Sequence, residues 1–144
     1  MRLLAIDPGR TTGWAYFFDG QLQKAWACSQ EEALVAQLHV SDVLIEKPCW
    51  YGKDNKVDAN DLISLGVFVG QLKQLYESRD AMVGLVLPVT WKGTVPKKIH
   101  NERVLDALTS EERLRLPFRL RAKDYDHNML DAVGLGLWKL RRLG

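Results

Sequence analysis

Three acidic side chains stand where the surrounding pattern calls for apolar ones. In "LLAID" a strand would alternate its side chains, so Leu3, Ala5 and Asp7 share one face and Asp7 ends it. Glu46 repeats the arrangement in "DVLIE", following Leu44 on the same face where that strand ends. Asp131 lies inside "NMLDAVGLGLW", a helical stretch that is apolar nearly all round through Leu130, Ala132, Val133, Leu135, Leu137 and Trp138. A charged aspartate in such surroundings costs several kcal/mol unless it is paired or bound to a metal. Oxygen-only clusters of this kind bind Mg²⁺ or Mn²⁺. Two such ions about 3.5–4 Å apart stabilise the attacking and leaving oxygens of a phosphodiester. His127 and Asn128 lie on the helical face of Asp131 and extend the candidate ligand set, with Asp126 at the N-cap as a further candidate. Each residue alone has a plainer reading: Asp7 as a turn aspartate at the Pro8-Gly9 bend, His127 as a satisfied, partly buried histidine.

Positive charge is concentrated elsewhere. The stretch "RLRLPFRLRAK" carries Arg113, Arg115, Arg119, Arg121 and Lys123 with no acid, and Lys97 and Lys98 form a second knot upstream. Such clusters suit phosphate contacts as well as a solvated face. Acids of one kind and bases of the other together point to a metal-dependent nuclease.

The elements that must position these groups follow from periodicity and punctuation. Residues 3–7 read as a buried strand, and 12–29 as two strands turned at Asp19-Gly20. Ser29 with Glu32 makes a capping-box pattern that starts a helix. Residues 42–47 form a strand stopped by Pro48, 58–77 a long helix, 81–89 a strand, and 96–108 and 127–143 helices. Strands in a row followed by alternating helices and strands predict an α/β fold, a mixed sheet flanked by helices. Gly134 and Gly136 each cost about 1 kcal/mol relative to alanine in a helix, which predicts that this helix packs very close to the sheet. On the 58–77 helix, Leu62, Leu65, Phe68, Val69, Leu72, Leu75 and Tyr76 form one apolar stripe. Ile63, Gly66, Val67 and Gly70 form another face with no intramolecular partner in sight, which predicts a homodimer.

The chain of 144 residues, 47% hydrophobic and 26% charged, reads as one globular domain over 1–144. No apolar run reaches membrane-span length, and no signal-peptide h-region opens the chain. Cys28 and Cys49 make neither a disulfide framework nor a metal spacing. A cytoplasmic protein is expected, with no membrane partner and no small-molecule cofactor.

In order along the chain, "AIDPGRTTGWA", "VLIEKP", "VTWKGTVPKK" and "HNMLDAVGLGLW" resemble the RuvC-type Holliday-junction resolvases of the ribonuclease H-like superfamily, especially their phage-borne relatives. The resemblance spans nearly the whole chain. "IDPG" alone also resembles the phosphate-holding turns of sugar kinases and actin-like ATPases, which need two such domains. The resemblance implies a ribonuclease H-like fold whose five-stranded mixed sheet has three antiparallel strands and then parallel ones. It implies a two-metal endonuclease that resolves four-way DNA junctions by paired nicks. The products would carry 5′-phosphate and 3′-hydroxyl ends, without a covalent enzyme intermediate. Asp7 would match the aspartate bridging both metals, Glu46 the second ligand and Asp131 the aspartate of the last helix. The family's fourth ligand, most often Asp or His, falls on Asn128 here, with His127 beside it. "VTWKGTVPKKIH" resembles the segment that contacts junction backbone, so Thr90, Lys92, Lys97 and Lys98 become expected DNA contacts. Trp50 and Tyr51 fall where relatives place an aromatic near the cleaved step; stacking on an unpaired base would be worth about 1–3 kcal/mol, and core packing is the alternative. A homodimer is implied too. The rival readings are a YqgF-type nuclease trimming ribosomal RNA precursors and a non-catalytic DNA-binding module that has lost its metal. Gly9 to Gly13 read as a tight turn ahead of a phosphate nest.

Overall fold

The computed structural model describes residues 1–49, 58–119, 121 and 124–143. Strand β1 (Arg2–Asp7) pairs antiparallel with β2 (Thr11–Phe18), which pairs antiparallel with β3 (Gln21–Ser29). On its other side β1 runs parallel to β4 (Asp42–Glu46), and β4 runs parallel to β5 (Met82–Val86). The sheet order is β3-β2-β1-β4-β5, the mixed arrangement expected from the sequence. The β2–β3 turn falls at Asp19 and Gly20, whose φ of 47° and 83° match the twist of a tight hairpin.

Alternation decides which layer each strand residue serves. Leu4, Ile6, Trp14, Val43 and Ile45 pack on one face beneath α1 (Gln30–Val35) and α2 (Ala59–Glu77). Leu3, Ala5, Ala15, Phe17 and Leu44 pack on the other face with α4 (Lys97–Ala107) and α6 (His127–Lys139). Ser29 caps α1 by accepting from the Glu32 amide, Asp58 caps α2, and Asp126 caps α6. Among the described residues two short helices remain, α3 (Pro88–Lys92) and α5 (Ser110–Arg113).

Helix α3 corrects one expectation. The strand expected over 81–89 stops at Val86 because Pro88 opens a helix, where a fixed φ and a missing N–H are no handicap. Helix α5 was not anticipated, although Thr109 and Glu112 make a complete capping box.

The glycines confirm close packing in one place and redirect it in another. A Cβ on Gly136 would lie 2.1 Å from Phe17 on β2, so α6 does press onto the sheet there. A Cβ on Gly134 would instead meet Val104 of α4 at 2.8 Å and Trp91 of α3 at 2.9 Å. That glycine admits the neighbouring helices, not the sheet. Gly13 is the tightest of all: a Cβ would stand 1.9 Å from the carbonyl oxygen of Asn128. The first turn of α6 therefore rests on the bare backbone of β2, directly across from Asp7, the register partner of Gly13.

Helix α2 shows the two faces read from the sequence. Phe68, Val69, Leu72 and Tyr76 are buried, whereas Ile63 and Val67 are 65% and 57% exposed. Beyond the helix's own backbone, no atom of the described residues comes within 4 Å of a Cβ built on Gly66 or Gly70. Among the described residues no helix is long and apolar enough to cross a membrane.

Candidate active site and nucleic-acid face

Asp7 and Glu46 end adjacent parallel strands. The last register pair of β1 and β4 is Ile6 with Ile45, and the next residue on each strand is an acid. Both acids stand on the α6 side of the sheet, each two positions beyond a residue of that core, Ala5 or Leu44. Asp131 comes down on them from the second turn of α6, held close by Gly13. Asp7 and Asp131 are only 6% and 8% exposed.

Among the described residues, Lys92 is the ammonium that serves this group. Lys92, the last residue of α3, places Nζ 3.1 Å from Asp131 Oδ2 and 3.6 Å from Glu46 Oε2. Trp91 Nε1 donates to Glu46 Oε2 at 2.8 Å and fixes that carboxylate. His100 of α4 stands behind Asp131, Nε2 to Oδ1 at 3.5 Å, which is too long for a good hydrogen bond. Its ring meets Trp91 edge-on at 5.1 Å.

The protonation behaviour follows from this sharing. Burial, then repulsion by Glu46 and Asp131, lifts the Asp7 carboxyl well above its ordinary range, more than Lys92 restores. Burial also raises Glu46, against the pull of Lys92 and the Trp91 hydrogen bond. Burial would raise Asp131 as well, but the Lys92 ammonium hydrogen-bonded to it, with the His100 ring behind, outweighs burial and holds that group low. Burial opposes the charge on Lys92, yet Asp131 and Glu46 prevail and raise it, so it stays an ammonium. Asp7 carries the deficit. Among the described residues, no hydrogen bond reaches its carboxylate.

This donor set suits a hard divalent cation in chemistry: three carboxylates, one of them buried, unpartnered and repelled by the others. In the arrangement described, no three His, Cys, Asp or Glu side chains among the described residues enclose a metal position. Lys92 is the cation that Glu46 and Asp131 share.

Of the expected site residues, the structure brings together Asp7, Glu46, Asp131 and Lys92. Lys92, expected as a DNA contact, bridges Glu46 and Asp131. Asn128 is half-buried at the start of α6, its carbonyl against Gly13. His127 is exposed and lines a recess with Lys97, Lys98, Arg121 and Tyr125, away from the three acids. Thr90 is exposed on α3. Arg113 and Arg119 line a smaller recess, again with Arg121 and Tyr125, alongside the acids Glu102 and Asp106. Arg115 turns inward, donating to the Leu22 carbonyl and to Glu111, and Arg121 pairs with Asp124. Trp50, Tyr51 and Lys123 lie outside the described residues. Sequence reasoning missed Trp91, His100 and Gly13. The first two sit within "WKGTVPKKIH", already singled out for its lysines; nothing local marks them as partners of an acid.

The sheet order, with helices on both faces and acids at the ends of β1 and β4, defines a ribonuclease H-like α/β fold. Solved structures place it more closely. Thermus thermophilus RuvC is 15% identical, with a TM-score of 0.60, covering 96% of this chain and 92% of that one. The same protein in complex with Holliday junction substrate gives a TM-score of 0.59 at 15% identity, over 96% of this chain and 91% of the other. The yeast mitochondrial Holliday junction resolvase Ydc2 gives 0.63 at 11% identity, covering 99% of this chain and 80% of that one. No protein-family model matches the sequence, and no curated protein matches it significantly.

Proposed function

We propose that this protein is a metal-dependent, structure-selective endonuclease that resolves four-way DNA junctions by paired nicks. The observation carrying this reading is the convergence of Asp7, Glu46 and Asp131 from β1, β4 and α6, on a fold shared over 96% of the chain with RuvC in complex with Holliday junction substrate. Asp7, Glu46 and Asp131 would hold Mg²⁺ or Mn²⁺, two ions per site, with Asp126 or Asn128 as a further candidate ligand; His127, turned into the recess, would not reach them. Bound there, the ions would supply Lewis-acid stabilisation and lower the pKa of an attacking water.

The chain's own residues do the rest. Trp91 holds the Glu46 carboxylate in one orientation. The Lys92 ammonium stays charged at neutral pH and lies beside the acids, where it can meet the negative charge that develops on the phosphate. Water attacks phosphorus in line, the bond to the 3′ oxygen breaks, and that oxygen takes a proton. A 5′-phosphate and a 3′-hydroxyl remain. Lys97, Lys98, Arg113, Arg119 and Arg121 take the DNA backbone. The exposed face of α2, at Ile63, Gly66, Val67 and Gly70, pairs two copies so that two sites meet two strands. The setting is the cytoplasm of a bacterial or phage-infected cell.

The test is cleavage of a four-way DNA junction with and without Mg²⁺ or Mn²⁺. Paired nicks that need the metal are expected. If ribosomal RNA precursors are trimmed while junctions stay intact, the YqgF-type reading replaces this one; binding without cutting would leave a DNA-binding module.

A further inference from the structure

Two buried rings, Trp91 and His100, stand behind the carboxylates. Trp91 Nε1 donates to Glu46 Oε2, and His100 Nε2 lies 3.5 Å from Asp131 Oδ1. The rings meet each other edge-on, their planes 66° apart. An acid from β4 and an acid from α6 are thus joined through α3 and α4. The joint is itself packed against α6. A Cβ on Gly134, one turn on from Asp131, would meet the Trp91 ring at 2.9 Å. Glycine inside a helix costs about 1 kcal/mol relative to alanine, and here it admits the indole.

Neither ring nitrogen of His100 has a hydrogen-bond partner among the described residues, and folded proteins rarely leave such groups dry. Asp131 is the acid that faces the ring. Closure by roughly a few tenths of an ångström brings Nε2–H and Oδ1 to hydrogen-bond length. The two rings then occupy one oxygen of each carboxylate. His100 takes Oδ1 of Asp131 and leaves Oδ2, the oxygen that Lys92 faces at 3.1 Å. Trp91 takes Oε2 of Glu46 and leaves Oε1. Ligation through one oxygen per acid suits Mg²⁺, which demands near-octahedral geometry and short bonds. Ca²⁺ takes more oxygens and accepts carboxylates through both of theirs.

We propose that His100 and Trp91 form a positioning brace that selects Mg²⁺ over Ca²⁺ at the acid cluster. His100 acts through Asp131 and Trp91 through Glu46. Their role rests on the metal-dependent reading above and adds the choice of ion to it.

Ion binding to the free protein tests this without any cutting. Mn²⁺ bound to the protein is read by electron paramagnetic resonance and displaced with Mg²⁺ or with Ca²⁺. The wild type should release Mn²⁺ to Mg²⁺ at a lower concentration than to Ca²⁺. His100→Leu and Trp91→Phe should each shift that ratio about tenfold toward Ca²⁺, with folding checked by circular dichroism. His100→Gln, which keeps an N–H donor, should recover most of the preference. Trp91→Phe keeps a ring against Gly134, so it carries the test where His100→Leu fails to fold. An unmoved ratio in a folded variant, no recovery in His100→Gln, or a wild type without preference for Mg²⁺ overturns the brace. Each leaves the nuclease reading in place. Variants that shift as expected in a protein that cuts no junction overturn the nuclease reading and keep the brace. A wild type that binds none of the three ions overturns both.

Discussion

Glu112 and Asp7 are both buried carboxylates, 1% and 6% exposed, and their surroundings are opposite. Glu112 is fully supplied with donors. Its Oε2 accepts from the Leu22 amide at 2.7 Å and from Arg142 Nη1 at 2.9 Å. Its Oε1 accepts from the Thr109 amide at 3.0 Å and from Arg142 Nη2 at 2.6 Å. Burial alone would raise this group, but the Arg142 and backbone hydrogen bonds bring it down to about 2. Asp7 accepts no hydrogen bond among the described residues, and burial together with repulsion by Glu46, Asp131 and Asp126 raises its pKa. A buried acid with every lone pair occupied ties β3, α5 and the chain after α6 together. A buried acid left short of positive charge stabilises nothing by itself, and marks where a cation is wanted.

The comparison is broken most severely by exchanging the charge at each acid. Asp7→Asn should reduce junction cutting to below a few per cent of the wild-type rate, with binding unchanged or tighter as repulsion of phosphate falls. It should not destabilise the fold, because the folded state holds the Asp7 carboxylate at a penalty above its raised pKa. Retained cutting in a quantitative junction assay, or a large loss of stability, would remove the distinction between the two acids.

Glu112→Gln should do the reverse. Removing one partner of a buried pair costs about 3–5 kcal/mol, toward the lower end here because Arg142 is partly exposed. Urea unfolding measures it. The pH dependence gives the same contrast. The folded pKa of Glu112, about 2, lies below its ordinary 4.5, so its contribution is complete above pH 4.5 and lost as pH falls toward 2. In Glu112→Gln that part of the acid-side slope should vanish, while Asp7→Asn should leave it in place.

The two acids also differ in how they could be read from sequence. Asp7 and Glu46 stood out because strand alternation put each on an apolar face, and Asp131 because its helix is apolar all round. Those are local signals. Glu112 sits in a short charged run, and its partners lie 30 and 90 positions away, at Arg142 and Leu22. No periodicity reports such distances. Lys92 was legible as a base but not as the counter-ion of Glu46 and Asp131, since both partnerships are tertiary. Gly13 looked like part of a turn; only the approach of α6 shows why β2 must be bare there. A mixed sheet flanked by helices was legible from strand sequence and turn chemistry, its antiparallel and parallel strands only from the family resemblance, and the break at Pro88 from the ring of proline itself.

A smaller effect concerns the dimer. With Ile63, Gly66, Val67 and Gly70 exposed on α2, the protein should be dimeric at micromolar concentration by light scattering. Gly66→Leu should weaken that assembly and lower junction cutting, but leave the Glu112 network and monomer stability unaffected. A monomeric wild type would remove this face from the proposal.

The smallest expected change sharpens the contrast from the substrate's side. The acid cluster is short of positive charge, whereas the separate recess lined by α4 carries Lys97 and Lys98, with Arg121 there already paired to Asp124. Phosphates should therefore be gathered at the recess and not by the acids. Each neutralised phosphate steepens the dependence of log K on log salt by about 0.9 on duplex DNA. Lys97→Ala with Lys98→Ala should then flatten the slope by about 1.8 and weaken linear and branched DNA alike. This electrostatic attraction is blind to sequence and shape, so the preference for junctions over linear duplex should survive the double substitution and fall only when the dimer is disrupted. Titrations at several salt concentrations with both DNA forms separate the two effects. An unchanged slope would mean that these lysines face solvent, and the gathering of phosphate would pass to Arg113 and Arg119.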